Sequence, residues 1–297
     1  MIKDRQGRII KTNQKQNKVL KILYRTIGGR ILLKFLTHPF ISYMAGEFMD
    51  SPMSKPLIKK FVKNNNIDTS QYIMDGFHSY NDFFTRRVKP ECRPIDCKAN
   101  HLISPCDSKL SVYRINSKSV FKIKNSYYRV SDLLKNDFLA RRFDGGWCMI
   151  FRLEVDDYHR YCYIDDGVKT SNTFINGELH TVNPIALEKY NIYKRNSREY
   201  TIMHTLHFGD VVQVEVGAMM VGRICNRHGE KVIFRGEEKG KFEFGGSTIV
   251  LLFEKDRVTP DADILKNTKH GFETVVKMGE KVGERVNEKQ TVRNKWI

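Results

Sequence analysis

Long uninterrupted apolar runs are missing from this chain of 297 residues. The greasiest stretch, Ile27 to Phe48, is broken by Arg30, Lys34, His38 and Pro39. It falls well short of the roughly 20 apolar residues that a membrane-spanning helix needs. The polar N-terminus contains no apolar core segment, so no secretory leader is expected. The six cysteines, Cys92, Cys97, Cys106, Cys148, Cys162 and Cys225, form no Cys-x-x-Cys pair and no regular framework. Free thiols in a reducing compartment are the simplest reading. No Cys or His pairs sit at ligand spacing, so no metal site is expected. Acidic residues are scarce: 34 Asp and Glu stand against 51 Lys and Arg, a formal charge of +17. Such an excess attracts an anionic partner, whether phospholipid, nucleic acid or an acidic protein. No nucleic-acid fingerprint is visible, and aromatic residues do not interleave with the basic ones as a single-strand platform requires. Nucleic acid is therefore not expected.

What is present falls into two textures. Residues 1–18 are polar and basic and read as a disordered or surface-lying arm. From Val19 to Leu36, the positions Leu20, Leu23, Ile27, Ile31 and Phe35 follow helical spacing, accompanied by Lys21, Arg25, Arg30 and Lys34. A basic amphipathic helix suits an anionic membrane surface, and equally the core of a helical appendage. Pro39 should end or kink it. Ser54 can cap a second helix carrying Leu57, Ile58, Phe61 and Val62, with Pro56 in its first turn. Ser79, followed by Asp82, should cap a short third helix over Asn81–Arg86.

After about residue 87, short runs of period two take over, bounded by Gly, Asn, Asp and Pro. They cover Lys109–Ile115, Val120–Ile123, Trp147–Val155, Val211–Val216, Lys231–Phe234, Lys241–Phe244 and Thr248–Phe253, with one helix expected over Asp132–Ala140. Val275–Gly283 reads as strand, glycine turn and strand. The expected fold class is α+β: an N-terminal helical, membrane-associating region over 1–86, then a β-rich catalytic domain over 87–297.

Three blocks in the β-rich part carry chemistry. Asp107 lies at a turn just before a strand, His159 just past the strand Trp147–Val155, and Ser247 between two strand-like runs after Gly245 and Gly246. A carboxylate that orients an imidazole, which in turn activates a hydroxyl, is the logic of a catalytic triad, and it depends on geometry rather than chain order. Glycine before a hydroxyl also lets the backbone adopt a geometry in which Ser247 can attack the Gly246 carbonyl. Each residue alone has an ordinary reading. Asp107 suits a turn, His159 a packed core, and Gly-Ser-Thr a strand bulge. A serine hydrolase is a further reading of Asp, His and Ser. Its Gly-x-Ser-x-Gly elbow is absent, because Ile249 stands two residues after Ser247.

Read together, several blocks resemble the phosphatidylserine decarboxylase family over most of residues 79–285. They are Tyr80-Asn81-Asp82-Phe83-Phe84-Thr85-Arg86, Lys89-Pro90 with Arg93-Pro94-Ile95, Ser104-Pro105-Cys106-Asp107, Asp157-Tyr158-His159-Arg160, Val182-Asn183-Pro184-Ile185-Ala186-Leu187, Val216-Gly217-Ala218 with Val221-Gly222, and Phe244-Gly245-Gly246-Ser247-Thr248. The resemblance implies a self-cleaving enzyme. His159, oriented by Asp107, would deprotonate Ser247, which would attack Gly246 and split the chain between 246 and 247. Ser247 would become a covalent pyruvoyl group. That group would hold the serine head group of phosphatidylserine as a Schiff base during loss of carbon dioxide, releasing phosphatidylethanolamine. The partners implied are phosphatidylserine in an anionic membrane and the chain's own heavy and light fragments. The location implied is peripheral, on the cytoplasmic face of the cell membrane, and a homodimer is left open. The chain departs from the family pattern at Cys162, where many relatives carry a second histidine, at Ser108 in place of Gly, at Gly245 in place of Leu, and at Met219, Met220 and Arg223. If two histidines divide the work in relatives, His159 does both tasks here, or Cys162 or another group substitutes. Two alternatives remain: a pyruvoyl decarboxylase of a soluble amino acid, and a non-catalytic basic membrane-binding protein.

Overall fold

The computed structural model describes residues 1–10, 26, 28–29, 32, 39–123, 126–177, 192–217, 223–243 and 247–286. The protein is mostly β-sheet with a few helices, an α+β arrangement. The helix expected over Val19–Leu36 lies almost wholly outside the described residues. Among those described, no helix is long and apolar enough to cross a membrane.

The strands that build the sites are β1 (Ile2–Lys3), β2 (Ile9–Ile10), β3 (Ser108–Arg114), β4 (Trp147–Leu153), β5 (Arg160–Cys162), β6 (Gly167–Lys169), β7 (Arg198–Thr205), β8 (Gly209–Val216), β9 (Ile224–Asn226), β10 (Lys231–Ile233), β11 (Glu238–Phe242), β12 (Ser247–Phe253) and β13 (Glu273–Val276). Ten of them run through an 11-stranded sheet in the order β10-β6-β7-β8-β12-β4-β3-β13-β1-β2, with Thr173–Ile175 also on β7. The strand β12 is central, antiparallel to β8 on one side and β4 on the other. All seven of its residues are buried, as its unbroken apolar run requires. Alternation along β4 and β12 feeds two cores. Ile150, Val250 and Leu252 face Leu133, Leu139 and Phe143, whereas Phe151, Ile249 and Leu251 face Tyr161 and Phe242. The second face is covered by a small antiparallel sheet, β5-β11-β9.

A buried polar cluster joins that small sheet to the large one. Lys239 Nζ lies 2.8 Å from Glu215 Oε1 and 2.8 Å from Asn226 Oδ1, and Gln213 Nε2 donates to the same Glu215 oxygen at 2.9 Å. Glu215 registers with Ile249, two residues past Ser247.

Several details differ from the sequence expectation. The first ten residues are no loose arm. Ile2 and Lys3 pair in parallel with β13, and Arg5 is held by Asp261 at 2.8 Å, Asp263 at 2.6 Å and Glu280 at 3.2 Å. A described helix, α1, covers Pro39–Asp50, and what Pro39 does to the segment before it lies outside the described residues. The next helix, α2 (Pro56–Asn65), is not capped by Ser54. The Ser54 hydroxyl donates to the Ser51 carbonyl at 2.7 Å and accepts the Tyr80 N–H at 2.8 Å, tying this hairpin to α3 (Tyr80–Phe84). Ser79 does cap α3, accepting the Asp82 N–H at 3.1 Å. The helix expected over 132–140 is two, Val130–Leu134 and Asp137–Arg141, because Lys135 turns left-handed (φ 52) and Asn136 caps the second.

Candidate active site

Strand register gathers the candidate residues at one end of the large sheet. Lys109 and Thr248 both pair with Arg152, and Thr248 also pairs with Val216. The start of β3, the end of β4, the start of β12 and the end of β8 therefore lie side by side. Asp107 immediately precedes β3, His159 follows the turn that leaves β4, and Ser247 opens β12.

Ser247 is fully buried, and its Oγ has no hydrogen-bond partner among the described residues. A buried hydroxyl left this way forfeits about 1–3 kcal/mol. Gly246, the other half of the expected scissile bond, lies outside the described residues together with Phe244 and Gly245.

His159 is fully buried. Its Nδ1 is 2.9 Å from the Asp157 carbonyl oxygen. A carbonyl can only accept, so Nδ1 carries the proton and Nε2 of the neutral ring carries the lone pair. The ring packs on Phe84 of α3 with centroids 4.1 Å apart, and the His159 carbonyl accepts the Phe242 N–H at 2.9 Å. Three separate elements thus hold His159, two of them through its ring. One of them, β11, leads directly into the Ser247 segment.

Asp107 is 1% exposed. Arg93 grips it through Nε at 2.8 Å and Nη2 at 2.6 Å, Lys277 Nζ lies 3.1 Å away, and the Met278 N–H donates at 2.9 Å. Burial alone raises a carboxyl pKa. The Arg93 hydrogen bonds and the Lys277 and Arg93 charges more than reverse that, so the group sits below the usual carboxylate range. The Lys277–Gly279 turn reaches Asp107 because Gly279 adopts φ +82 with its Cα facing the Pro94 carbonyl, where a Cβ would come within 2.6 Å.

The Asp107–His159 hydrogen bond that the triad logic requires is not among the described contacts. Both Asp107 oxygens are engaged by Arg93, Lys277 and Met278, and the Asp157 carbonyl satisfies Nδ1. The described contact that holds Nδ1 comes from backbone two residues upstream. Cys162 stands beside this block, its N–H donating to the Pro105 carbonyl at 2.9 Å. Burial pushes its thiol up to about 12, so it is a neutral thiol near pH 7 and no base. Arg93, Lys277, Met278, Phe84 and the Asp157 carbonyl were not assigned roles from sequence. Lys277 and Met278 sit some 170 positions from Asp107, and no local pattern links them.

The blocks Val182–Leu187 and Ala218–Gly222 lie outside the described residues. Among those described, no cluster of three or more His, Cys, Asp or Glu side chains could hold a metal ion.

A family profile described as phosphatidylserine decarboxylase matches residues 80–284. A protein of Clostridium acetobutylicum named phosphatidylserine decarboxylase proenzyme 2 is 48% identical over 272 residues, spanning 91% of this chain and 93% of its own. Proteins named phosphatidylserine decarboxylase proenzyme from Clostridium novyi and Clostridium perfringens are 41% and 43% identical, spanning 90% and 87% of this chain and 92% and 90% of theirs. The class is that of decarboxylases. More narrowly, the chain belongs to the phosphatidylserine decarboxylase family.

Proposed function

We propose that this chain is made as a proenzyme, cuts itself between Gly246 and Ser247, and decarboxylates phosphatidylserine to phosphatidylethanolamine at a membrane surface. The observation that carries the reading is the buried Ser247 hydroxyl, without a hydrogen-bond partner among the described residues, at the head of the central strand in a chain of this family. His159 Nε2 takes the Ser247 proton. Oγ attacks the Gly246 carbonyl carbon, so an ester replaces the amide. Removal of the Ser247 α-proton then breaks the Cβ–Oγ bond and releases Gly246 as a carboxylate. Water converts the resulting dehydroalanine to a terminal pyruvoyl group, with loss of ammonia.

The residues present suit such a group: it would sit at position 247, which is buried and pairs with Leu153 at the end of β4, the strand whose following turn carries His159. It would supply the electron sink that ordinary side chains lack, through a carbonyl able to condense with the substrate amine. His159 then serves as the acid that returns a proton to the product carbon. Asp107 is a positioning residue, fixing Arg93 and the Lys277–Gly279 turn at the same end of the sheet.

For membrane contact, α1 presents the exposed apolar side chains Phe40, Met44 and Phe48 at helical spacing, with exposed Met53 beyond them. Lys55, Lys59, Lys60 and Lys63 follow on or beside α2. This pairing of apolar and cationic groups suits peripheral attachment to an anionic leaflet, and the cytoplasmic face is the leaflet proposed.

Denaturing gel and intact-mass analysis test the reading. Purified protein should separate into residues 1–246 and a light fragment of 247–297 whose first residue has the pyruvoyl mass. Ser247→Ala should remain one band and release no carbon dioxide from phosphatidylserine. Turnover by full-length, uncut protein would sink the proposal. Release of carbon dioxide from free serine but not from the lipid would transfer it to a soluble amino acid substrate.

A further inference from the structure

Beside β5 lies a second concavity of about 420 Å³. Arg87, Arg93, Arg160 and Arg227 line it, with Glu238 as the one carboxylate and Ile95 and Met278 among its apolar walls. His159, Ser247 and Asp107 are not part of the lining. The acidic groups nearby are already shared out. Glu238 is divided between Arg160 at 2.9 Å and Arg227 at 2.7 Å. Asp107 is divided between Arg93 at 2.6 Å and Lys277 at 3.1 Å. Arg87 has no carboxylate partner among the described residues. The Arg160 fork is further fixed by the Thr85 carbonyl, 2.7 Å from Nε.

Arg93 spends its guanidinium on Asp107, on Gln71 at 3.0 Å and on the Cys92 carbonyl at 2.6 Å, and Arg160 is held by Glu238 and Thr85, so a cavity with surplus positive charge offers a ligand chiefly the exposed forks of Arg87 and Arg227. The ligand chemistry that matches is a compact oxyanion with several acceptors, since guanidinium binds phosphate oxygens in bidentate fashion. The volume is at the scale of small-ligand pockets.

We propose that this cavity is a phosphate-recognition site, separate from the reacting residues, which takes the phosphate of a lipid head group or free inorganic phosphate. It does not depend on how Ser247 reacts. Its walls nonetheless touch the site, because Arg93 grips Asp107 and Arg160 follows His159 in the chain.

Isothermal titration with inorganic phosphate at fixed ionic strength tests the proposal. It compares the wild-type protein with Arg87→Ala/Arg227→Ala, which removes the exposed pair. Wild-type protein should bind saturably, and the variant about tenfold more weakly or worse, as loss of charge-assisted hydrogen bonds requires. Arg87→Gln alone should weaken binding in the same direction, which covers failure of the double variant to fold. Sedimentation with phosphatidylglycerol vesicles separates the sources. A lipid head group is indicated if the variant sediments less and added phosphate competes with wild-type binding. Free phosphate is indicated if both proteins sediment equally while the titrations differ. Absence of saturable phosphate binding by the wild type, or equal affinity in both Arg87 variants, overturns the proposal. Cleavage into two fragments is read on the same samples, so a failure here is distinguishable from failure of the Ser247 mechanism.

Discussion

At the scale of single residues, the site consists of groups whose protonation is set by their partners. The Asp157 carbonyl fixes the proton of His159 on Nδ1. Replacing His159 with Ala removes the proposed base without exposing a new charge, so self-cleavage should slow by about a hundredfold or more in a gel time course. Asp107 yields a different expectation. Its folded pKa lies below the unfolded value. Its stabilisation is therefore present above roughly pH 4 and lost as pH falls through the depressed folded value. On an uncleaved Ser247→Ala background, Asp107→Asn should lower stability at pH 7 by about 3–5 kcal/mol, because Arg93 stays buried without its counter-charge. Urea midpoints measured from pH 7 to pH 3 should show the gap between the two proteins closing in acid. Asp107, His159 and Ser247 stand out as candidates from residue type and context. Their contacts do not. Arg93 and Lys277 reach the Asp107 carboxylate from distant segments, and the Asp157 carbonyl meets Nδ1 of His159.

At the scale of elements, the strands most visible in the sequence are those that alternate or run apolar. β12 and β4 begin within a residue of their expected starts and end within two residues of their expected ends. The strand β7 escaped notice although it is eight residues long. It carries a buried Arg198, whose guanidinium is satisfied by the Leu133 carbonyl at 2.6 Å and the Asn196 carbonyl at 2.8 Å. A buried arginine does not read as a core position, and only the folded chain supplies its acceptors. The Lys239–Glu215 pair poses the same problem, with one partner in each sheet. Removing one partner alone, by Lys239→Met or Glu215→Leu, should cost about 3–5 kcal/mol in urea unfolding. The double replacement should recover most of the loss, since no unpaired charge is then left buried. A double variant that loses the sum of the two single effects would show that the pair is not coupled.

At the scale of the whole molecule, the proposed peripheral attachment would draw on the charge of +17 and the apolar stripe on α1 together. The electrostatic share is screened by salt, with a Debye length of about 10 Å at 0.1 M. Sedimentation with phosphatidylglycerol vesicles should therefore fall steeply between about 0.05 M and 0.5 M salt, while Phe40→Ala/Met44→Ala/Phe48→Ala should weaken it at every salt concentration.

Charge balance, the absence of a spanning run, the strand periods and the order of the candidate residues were determined by the sequence by itself, because each is a property of residue identity and local spacing. Tertiary structure alone decided that the first ten residues clasp the large sheet, that Arg93 and Lys277 engage Asp107, and that four arginines surround one cavity. Those outcomes arise from contacts between segments far apart in the chain, where burial and charge compete in a way no local window records.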